Sequence, residues 1–312
     1  SSCSINKLAI NAVSNALTGS GSSDVFTSDS DPKLVGDALP FAIKMYEALL
    51  SVNPGHHGLM VTTGSLFVMY SNAYVHGPAE MLPSDKWQER EAEMDRAKKL
   101  YLRGHEILYD ALDSKFNGFR KASVTDGSLE PILQKCKKED AGLLYWAVAG
   151  GMAAYSIDVF DFELSGNIPN WTAMIQRAYE LDPDYGGASL DEFFIIFYSS
   201  LPEMMGGDKE KAQRHFRRAL EKTNGNSTSA YISYAQSISV PAQDYDTFTE
   251  CLEKALAVDP NADPSVRLMT IINQKKARWL LDNAYNFFSF IPMPDDYYLD
   301  NYFPEEYYPE DY

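Results

Sequence analysis

Histidine, cysteine and carboxylate side chains are the groups through which this chain could do chemistry, and their spacing favours no catalytic or metal site. The 5 histidines are scattered, and none falls in an H-E-x-x-H pattern or another spacing that pairs two metal ligands. The sequence has neither a G-x-S-x-G nucleophile elbow nor a glycine-rich loop followed by Lys-Ser or Lys-Thr. We therefore predict a protein that is not an enzyme, with no catalytic residue, no metal and no cofactor.

The remaining reactive groups also favour structural roles. Cys136 and Cys251 lie in helical stretches that carry Lys and Glu, and without a patterned histidine partner they are expected to be structural thiols. Four acidic residues could line a cleft, namely Asp126, Asp158, Asp161 and Glu163, but such groups are expected by chance in a chain with 44 acidic residues. A helical hydrolase or lyase is an alternative that requires two or more buried acids with raised pKa values.

The composition excludes several classes of partner. The chain has 312 residues, of which 45 % are hydrophobic, with a formal net charge of −17 and a pI near 4.7. This charge would repel a nucleic-acid backbone and anionic lipid headgroups alike. No stretch approaches the roughly 20 apolar residues of a membrane-spanning helix. Any membrane attachment is therefore expected to be covalent or hydrophobic.

Cys3 is set apart from the other cysteines, at the start of the chain. Ser1-Ser2-Cys3 has the form of the end of a bacterial lipobox, in which the cysteine becomes the lipidated first residue. A helix near 4–17 and a Ser- and Asp-rich linker would follow, and the linker would act as a flexible tether. The alternative is that Cys3 is a free thiol. We predict that 1–32 is a lipid-anchor region.

Helical periodicity dominates the rest of the chain, and strand-like alternation is nearly absent. Helix stops recur at Asn53-Pro54, Asp182-Pro183, Asn224-Gly225 and Asp259-Pro260. Helices that each end in a turn before the next begins indicate stacked helical hairpins. They are expected near 33–51, 57–76, 84–113, 128–137, 139–161, 169–181, 188–202, 208–223, 227–239, 244–258 and 264–288. At the start of the one near 227–239, Asn226 is expected to act as the cap.

Small and aromatic residues within these helices follow the tetratricopeptide pattern. Ala212, Phe216 and Ala219 match its second helix, and the segment from Trp146 to Gly150 matches its first. The small residues let neighbouring helices approach closely, and the aromatic side chain fills the space opposite. We predict an all-α fold, a superhelical stack of degenerate tetratricopeptide-like helical hairpins over 33–290.

The register of these repeats also predicts which side chains face the concave surface. The positions concerned are uncharged, which suits an apolar ligand or a partner helix better than an anion. Trp146 and Tyr231 fall at core positions of the same register, where packing is favoured over ligand binding. The cleft-lining candidates are Val68, Asn72, Val75, Leu144, Ala147, Gly151, Tyr155, Ile232 and Gln236.

The end of the chain differs in composition. From Pro292 to Tyr312 it is rich in Pro, Tyr and acidic residues and contains no Lys or Arg. Proline blocks continuation of a helix, and such a composition is typical of disorder. The tyrosines could instead pack along a groove of this or a neighbouring chain. We predict that 291–312 is a separate acidic tail whose order stays open.

The order of these features resembles one known family. Cys3 and the segments Phe41–Pro54, Ala97–Tyr101, Trp146–Gly150 and Ala173–Pro183 resemble the T component of periplasmic tripartite (TRAP) transporters, and point to a spirochaetal member. The resemblance covers nearly the whole chain. Because each short motif is generic to helical repeats, the specificity lies in their order and in the inserts between them.

The resemblance implies a periplasmic lipoprotein, anchored to a bacterial membrane through Cys3, that forms a homotrimer with a cleft or pore in each protomer. It implies further that the protein works with the substrate-binding protein of the transporter and with a hydrophobic ligand. No catalytic residue is carried over, and the acidic tail has no counterpart in the family pattern. The alternative function is a structural envelope module that docks peptides or partner helices.

Overall fold

The structure is a computed structural model that describes Ser14, Asn15, Thr18 and the ranges 24–125 and 129–291. Within these residues there is no β-strand, and the predicted all-α class is confirmed. The long helices are α1 (Pro32–Val52), α2 (His57–Ser71), α3 (Trp87–Lys115), α4 (Ala141–Ile157), α5 (Ile168–Leu181), α6 (Ser189–Ser200), α7 (Lys209–Lys222), α8 (Thr228–Tyr234), α9 (Tyr245–Ala257) and α10 (Arg267–Asp282). Consecutive helices pack as hairpins, which is compatible with a superhelical tetratricopeptide-like stack.

Shorter helical segments lie between the long helices. The α-helical ones are Asp24–Thr27, Gly77–Glu80, Phe119–Ser123, Glu130–Leu133, Phe162–Gly166 and Val240–Ala242. The 3₁₀ segments are Ser84–Lys86, Lys138–Asp140, Glu203–Met205, Pro264–Val266 and Ala284–Asn286, and the π-helical ones are Asn72–His76 and Ala235–Ser239. No helix among the described residues is both long and apolar enough to cross a lipid bilayer.

Several sequence predictions lie outside the described residues. These are the Cys3 anchor, most of the helix near 4–17, Asp126, and the tail from Pro292 onward. The division of the chain into anchor region, repeat domain and tail therefore stays a prediction.

Polar side chains at the helix starts satisfy backbone N–H groups that no helical partner can reach. The Asp31 carboxylate accepts from the Leu34 N–H at 3.0 Å, and Pro32 occupies the first position of α1. The Ser227 hydroxyl accepts from the Ala230 N–H at 2.9 Å at the start of α8. Each such cap stabilises a helix by about 1 kcal/mol. The expectation that Asn226 caps α8 was wrong, because the chain enters this helix one residue later.

The predicted helix near 128–137 is much shorter in the structure, spanning Glu130–Leu133. Lys137 has an extended backbone, with φ −116° and ψ 177°. In that conformation its N–H donates to the Asp140 carboxylate at 2.9 Å, which fixes the start of the next turn. The predicted helix therefore ends at Leu133, and the Lys137–Asp140 contact belongs to the start of the 3₁₀ segment that follows.

Helices α2 and α8 share one irregularity. Each continues through a π turn, Asn72–His76 after α2 and Ala235–Ser239 after α8, into a last short helical segment. A proline lies at the start of that segment in both cases, Pro78 and Pro241. Proline offers no N–H and crowds the carbonyl group four residues before it. The wider turn lets both helices pass a proline without ending there.

Paired glycines bring α2 and α3 into close contact. A Cβ atom on Gly104 would lie 2.7 Å from the Gly64 carbonyl oxygen, and one on Gly64 would lie 3.0 Å from the Gly104 carbonyl oxygen. No side chain fits at either position without separating the helices. The two glycines therefore allow the close approach of α2 and α3.

The last helix returns to the first ones. An Arg267 guanidinium nitrogen donates to the Ser28 carbonyl oxygen at 2.9 Å, and Leu268 is buried among the apolar side chains of α1 and α2. The Lys276 ammonium pairs with the Glu80 carboxylate at 2.8 Å, which links α10 to the continuation of α2. The array of hairpins is therefore closed.

Because of this closure, the first helix of each hairpin contacts the next one around a ring. Helix α2 packs on α4, α6 packs on α8, and α8 packs on α10. The rings of Tyr145 and Phe193, with centroids 6.1 Å apart, join α4 to α6. We call α2, α4, α6, α8 and α10 the inner helices, and each of α3, α5, α7 and α9 packs against at least one of them.

Candidate functional site

Two adjacent carboxylates on the inner helix α6 have opposite surroundings. Asp191 is fully buried and points towards α7. Its carboxylate lies 2.7 Å from His215 Nδ1 and 2.7 Å from Lys222 Nζ, and it accepts from the Tyr179 hydroxyl at 3.2 Å. Burial alone would raise the pKa of Asp191, but the hydrogen bonds from His215 and Lys222 hold it below its usual value. The charged form of this carboxylate is favoured, and its ion pairs join two helices.

Glu192 has no such partners. Its carboxylate accepts one hydrogen bond, from the Ser227 hydroxyl at 2.5 Å. Within the described ranges no Lys, Arg or His nitrogen lies within 4.0 Å of it. Desolvation raises the pKa of Glu192, and the negative charge of Asp191 acts in the same direction. Glu192 is thus a partly exposed carboxylate that the protein itself does not neutralise.

Four aromatic side chains gather beside Glu192. Tyr145 lies at their centre, with its ring centroid 5.2 Å from Trp146, 5.6 Å from Tyr185 and 6.1 Å from Phe193. The interplanar angles are 72°, 52° and 74°, so the three rings meet Tyr145 edge-on or tilted and do not stack flat on it. All four side chains keep partial exposure. We call Tyr145, Trp146, Tyr185, Phe193 and Glu192 the aromatic–carboxylate site.

The polar atoms of this site are unevenly satisfied. The Trp146 indole N–H donates to the Tyr185 hydroxyl at 3.1 Å. The Tyr145 hydroxyl has no hydrogen-bond partner in the part of the chain that the structure describes. Burial raises the pKa of Tyr145, and the Glu192 charge raises it further, which places that charge near the phenol. An unpartnered hydroxyl and a singly bonded carboxylate therefore lie near one another, and both side chains are partly buried.

Local sequence explains why Tyr185 can reach this place. It lies in the turn between α5 and α6 and packs over the start of α4. A Cβ atom on Gly142 would lie 2.6 Å from the Tyr185 ring, so only glycine leaves room for the tyrosine. The sequence shows the glycine at position 142, but it does not show that Tyr185, 43 residues later, packs against it.

The start of α8 joins three inner helices. Ser227 caps α8 and also donates to Glu192 of α6. From the other side, the Asn273 amide of α10 donates to the Thr228 hydroxyl at 3.1 Å and to the Ser229 hydroxyl at 2.9 Å. These contacts fix the position of Ser227, and with it the position of the Glu192 carboxylate.

The predicted cleft-lining residues are distributed between core and surface. Val68, Val75, Leu144, Ala147 and Ile232 are buried, at 5 % exposure or less. Gly151 packs against Trp171, whose ring lies 2.5 Å from where a Cβ atom would stand. Tyr155 and Gln236 are half-buried, and Asn72 is exposed and donates to the Tyr101 hydroxyl at 3.3 Å. Their role as a ligand surface stays a prediction.

On α4 the partly exposed face is rotated from the predicted one. Tyr145, Ala149, Met152 and Ala153 keep partial exposure, whereas the predicted Leu144 and Ala147 are buried. One residue along a helix corresponds to a rotation of about 100°. Glu192 and the rings around Tyr145 were therefore missed, because the sequence pattern placed Trp146 in the core and offered no long-range partner for a glutamate.

The cysteines have the surroundings expected of structural thiols. Cys136 and Cys251 are buried, and burial raises the pKa of each to about 11. A thiol with such a pKa is almost fully protonated at neutral pH and is a poor nucleophile. Among the described residues, no group of three or more His, Cys, Asp or Glu side chains could hold a metal ion.

The described helices form an all-α array of packed hairpins whose last helix returns to the first ones, which is compatible with the class of helical-repeat proteins. Comparison with known proteins gives its family. The TRAP transporter T-component model matches residues 28–288. An uncharacterized protein of Treponema pallidum (strain Nichols) is 34 % identical over 300 residues, covering 92 % of this chain and 93 % of that protein. The chain belongs to the TRAP transporter T-component family, and its role is accessory to TRAP transport.

Proposed function

We propose that this protein is a non-enzymatic scaffold of a TRAP transporter, held at a bacterial membrane by a lipid on Cys3 and facing the periplasm. It forms a homotrimer, binds the substrate-binding protein of the transporter, and passes a small hydrophobic ligand through the space between its inner helices. The observation that carries this proposal is the closed ring of inner helices in a chain of a family that serves TRAP transport.

The partly exposed side chains of α4 support the ligand half of the proposal. Tyr145, Ala149, Met152 and Ala153 are uncharged and lie on an inner helix. Apolar lining with few polar groups is typical of small-molecule sites. A protein that transfers an apolar ligand needs an apolar surface that binds the ligand strongly enough for entry and weakly enough for release.

An exposed apolar loop supports the partner half. Phe160 and Phe162, after α4, are 85 % and 91 % exposed. The Lys98 ammonium holds this loop by hydrogen bonds of 2.8 Å to Asp158 and 2.8 Å to Asp161. Exposed aromatic side chains on a fixed loop are typical of docking surfaces. The same loop favours the second candidate, a structural envelope module that docks peptides or helices without passing a ligand.

Sedimentation velocity of the purified protein, alone and titrated with the substrate-binding protein of the same transporter, tests this function. A trimer that takes up the partner is the expected result. A matched pair of variants sharpens it: the exposed pair Phe160→Ser with Phe162→Ser should lose the partner, and exposed Met204→Ser should keep it. A monomer that ignores the partner would contradict the scaffold role.

Membrane attachment is tested separately by cell fractionation. Stable attachment requires two or more acyl chains, because a single chain binds a bilayer only marginally. Cys3→Ala should therefore move the protein to the soluble fraction, while Cys136→Ala should leave its distribution unchanged. Retention of the Cys3 variant in the membrane fraction would show that the anchor lies elsewhere.

A further inference from the structure

We infer that the aromatic–carboxylate site binds an organic cation, an alkylammonium group carried on an apolar body. This inference rests on the proposed function, since it assigns a chemical class to the ligand of the inner helices. Three features support it: the unpaired carboxylate, the cluster of aromatic rings, and two polar atoms of the site that have no hydrogen-bond partner among the described residues.

The carboxylate is the first argument. The buried carboxylates of Asp140 and Asp191 each pair with a lysine of this chain, Lys115 and Lys222. Glu192 does not, although protein surrounds it closely enough for desolvation to oppose its charge. A desolvated carboxylate without a cation is costly to keep, and a cation supplied by a ligand would remove that cost.

The second argument is the cluster of aromatic rings. An ammonium group is attracted to the face of Trp, Tyr or Phe when it lies within about 6 Å of the ring centroid. Trp146, Tyr185 and Phe193 pack on Tyr145 at centroid distances of 5.2 to 6.1 Å, and all four side chains keep partial exposure, so part of this aromatic cluster is open to a charged group that lies beside Glu192. The attraction is stronger where water is partly excluded.

The third argument is the pair of open polar atoms. One Glu192 oxygen accepts from Ser227, which leaves the other oxygen open among the described residues. The Tyr145 hydroxyl is also unpartnered there, and the charge of Glu192 acts on it. The carboxylate can neutralise the ammonium group, and the hydroxyl can bind a neighbouring polar atom of the same ligand. An anionic ligand would meet the negative charge of Glu192 at close range.

The test compares two probes that differ only in charge. Choline and its neutral isostere 3,3-dimethylbutan-1-ol have the same shape, and calorimetric titration of the full chain measures both. We expect choline to bind at least about tenfold more tightly than the isostere, because only the cation gains from the carboxylate and the ring faces. Equal affinities, or no choline binding tighter than about 10 mM, would overturn the inference.

Variants locate the site. Glu192→Gln should weaken choline about tenfold without changing the affinity for the isostere, since it removes the charge and keeps the shape. The matched control is Glu203→Gln, an exposed glutamate outside this site, which should change neither. Tyr145→Phe keeps the ring and removes the hydroxyl, so it should weaken choline less than Glu192→Gln does. Choline binding that is the same in wild type and Glu192→Gln would place the cation elsewhere.

The wild-type protein, measured both by choline titration and by partner uptake in sedimentation velocity, separates this inference from the proposed function. If the partner binds but choline does not discriminate from its isostere, the cation site is wrong and the scaffold role stands. If choline discriminates but no partner binds, the site stands and the scaffold role fails.

Discussion

Asp191 and Glu192 are neighbours in sequence and carry the same functional group, yet they behave as opposites. Asp191 faces the outer helix α7 and is neutralised by His215 and Lys222, which hold its pKa below the usual value. Glu192 faces the inner side, has only the Ser227 hydroxyl as a described partner, and has a raised pKa. Successive residues on a helix point about 100° apart, so one step separates two environments.

The contrast shows how one helix can serve both stability and binding. The ion pairs of Asp191 link α6 to α7 and to the turn before α6, where Lys222 also donates to the Pro183 carbonyl oxygen at 2.5 Å. The outer side of the helix is thereby fixed. The fixed outer side of α6 lets the helix carry the desolvated Glu192 carboxylate on its other side. The cost of that carboxylate is small compared with the free energy of unfolding of the whole protein.

The largest effect is expected at Asp191. Asp191→Asn leaves the Lys222 and His215 side chains without their common counter-charge, and removing one partner of a buried ion pair costs about 3–5 kcal/mol. Urea unfolding should show this loss in the midpoint with an unchanged slope. A loss in the free energy of unfolding below about 1 kcal/mol would mean that the ion pairs of Asp191 contribute no more than exposed ones do. The proposed difference in energy between Asp191 and Glu192 would then be wrong.

Ser227→Ala is expected to cost less, about 1 kcal/mol, because the hydroxyl caps α8. The same hydroxyl donates to Glu192, so its removal should also raise the pKa of Glu192 further. Introducing Ser227→Ala both into the wild-type chain and into the Glu192→Gln variant distinguishes the two effects. If Ser227→Ala lowers the free energy of unfolding at pH 8 by the same amount in both backgrounds, capping alone explains the loss.

Glu192→Gln should have the opposite sign to Asp191→Asn. Removing a desolvated and unpaired charge is expected to leave the free energy of unfolding unchanged or to increase it by up to about 1 kcal/mol at pH 8. Thermal unfolding of the two variants beside wild type provides the measurement. A clear destabilisation by Glu192→Gln would show that the charged form of Glu192 contributes to the fold.

The dependence on pH should separate the two carboxylates. The pKa of Glu192 is raised in the folded protein, so its stabilising contribution is complete below the unfolded pKa of about 4.3 and is lost as pH rises through the higher folded value. The pKa of Asp191 is lowered, so its contribution is present above about 3.9 and is lost as pH falls through the folded value. Wild type and Glu192→Gln should therefore converge in stability towards about pH 4, and a constant difference would contradict this.

The smallest effect is expected for an exposed pair, which serves as the reference for both carboxylates. Glu250 pairs with Lys254 at 2.6 Å, and both side chains are more than half exposed. Glu250→Gln should cost no more than about 0.5 kcal/mol, with a loss that disappears in high salt. A larger cost here would mean that the effect at Asp191 does not come from its burial.

Much of the fold follows from local sequence. The helical periodicity, the stop at Asn224-Gly225 and the structural thiols at Cys136 and Cys251 agree with the structure, where Asn224 and Gly225 have φ of 51° and 78°. Helix Glu130–Leu133 is the exception, since it is shorter than its apolar pattern predicts and is followed by a 3₁₀ segment that Lys137 and Asp140 cap. The family resemblance was also readable, since it depends on the order of segments.

The all-α class, most helix ends and the family can be read from the amino-acid sequence, because they depend on interactions within a few residues and on the order of segments. The pairing of Lys276 with Glu80 across 196 residues, which closes the ring, arises only when the helices pack together. The same packing brings the positive charges of α7 to Asp191 and none to Glu192. Both residues have the same chemistry in the sequence, and the arrangement of α7, α4 and α8 around α6 makes one a support and the other a candidate ligand group.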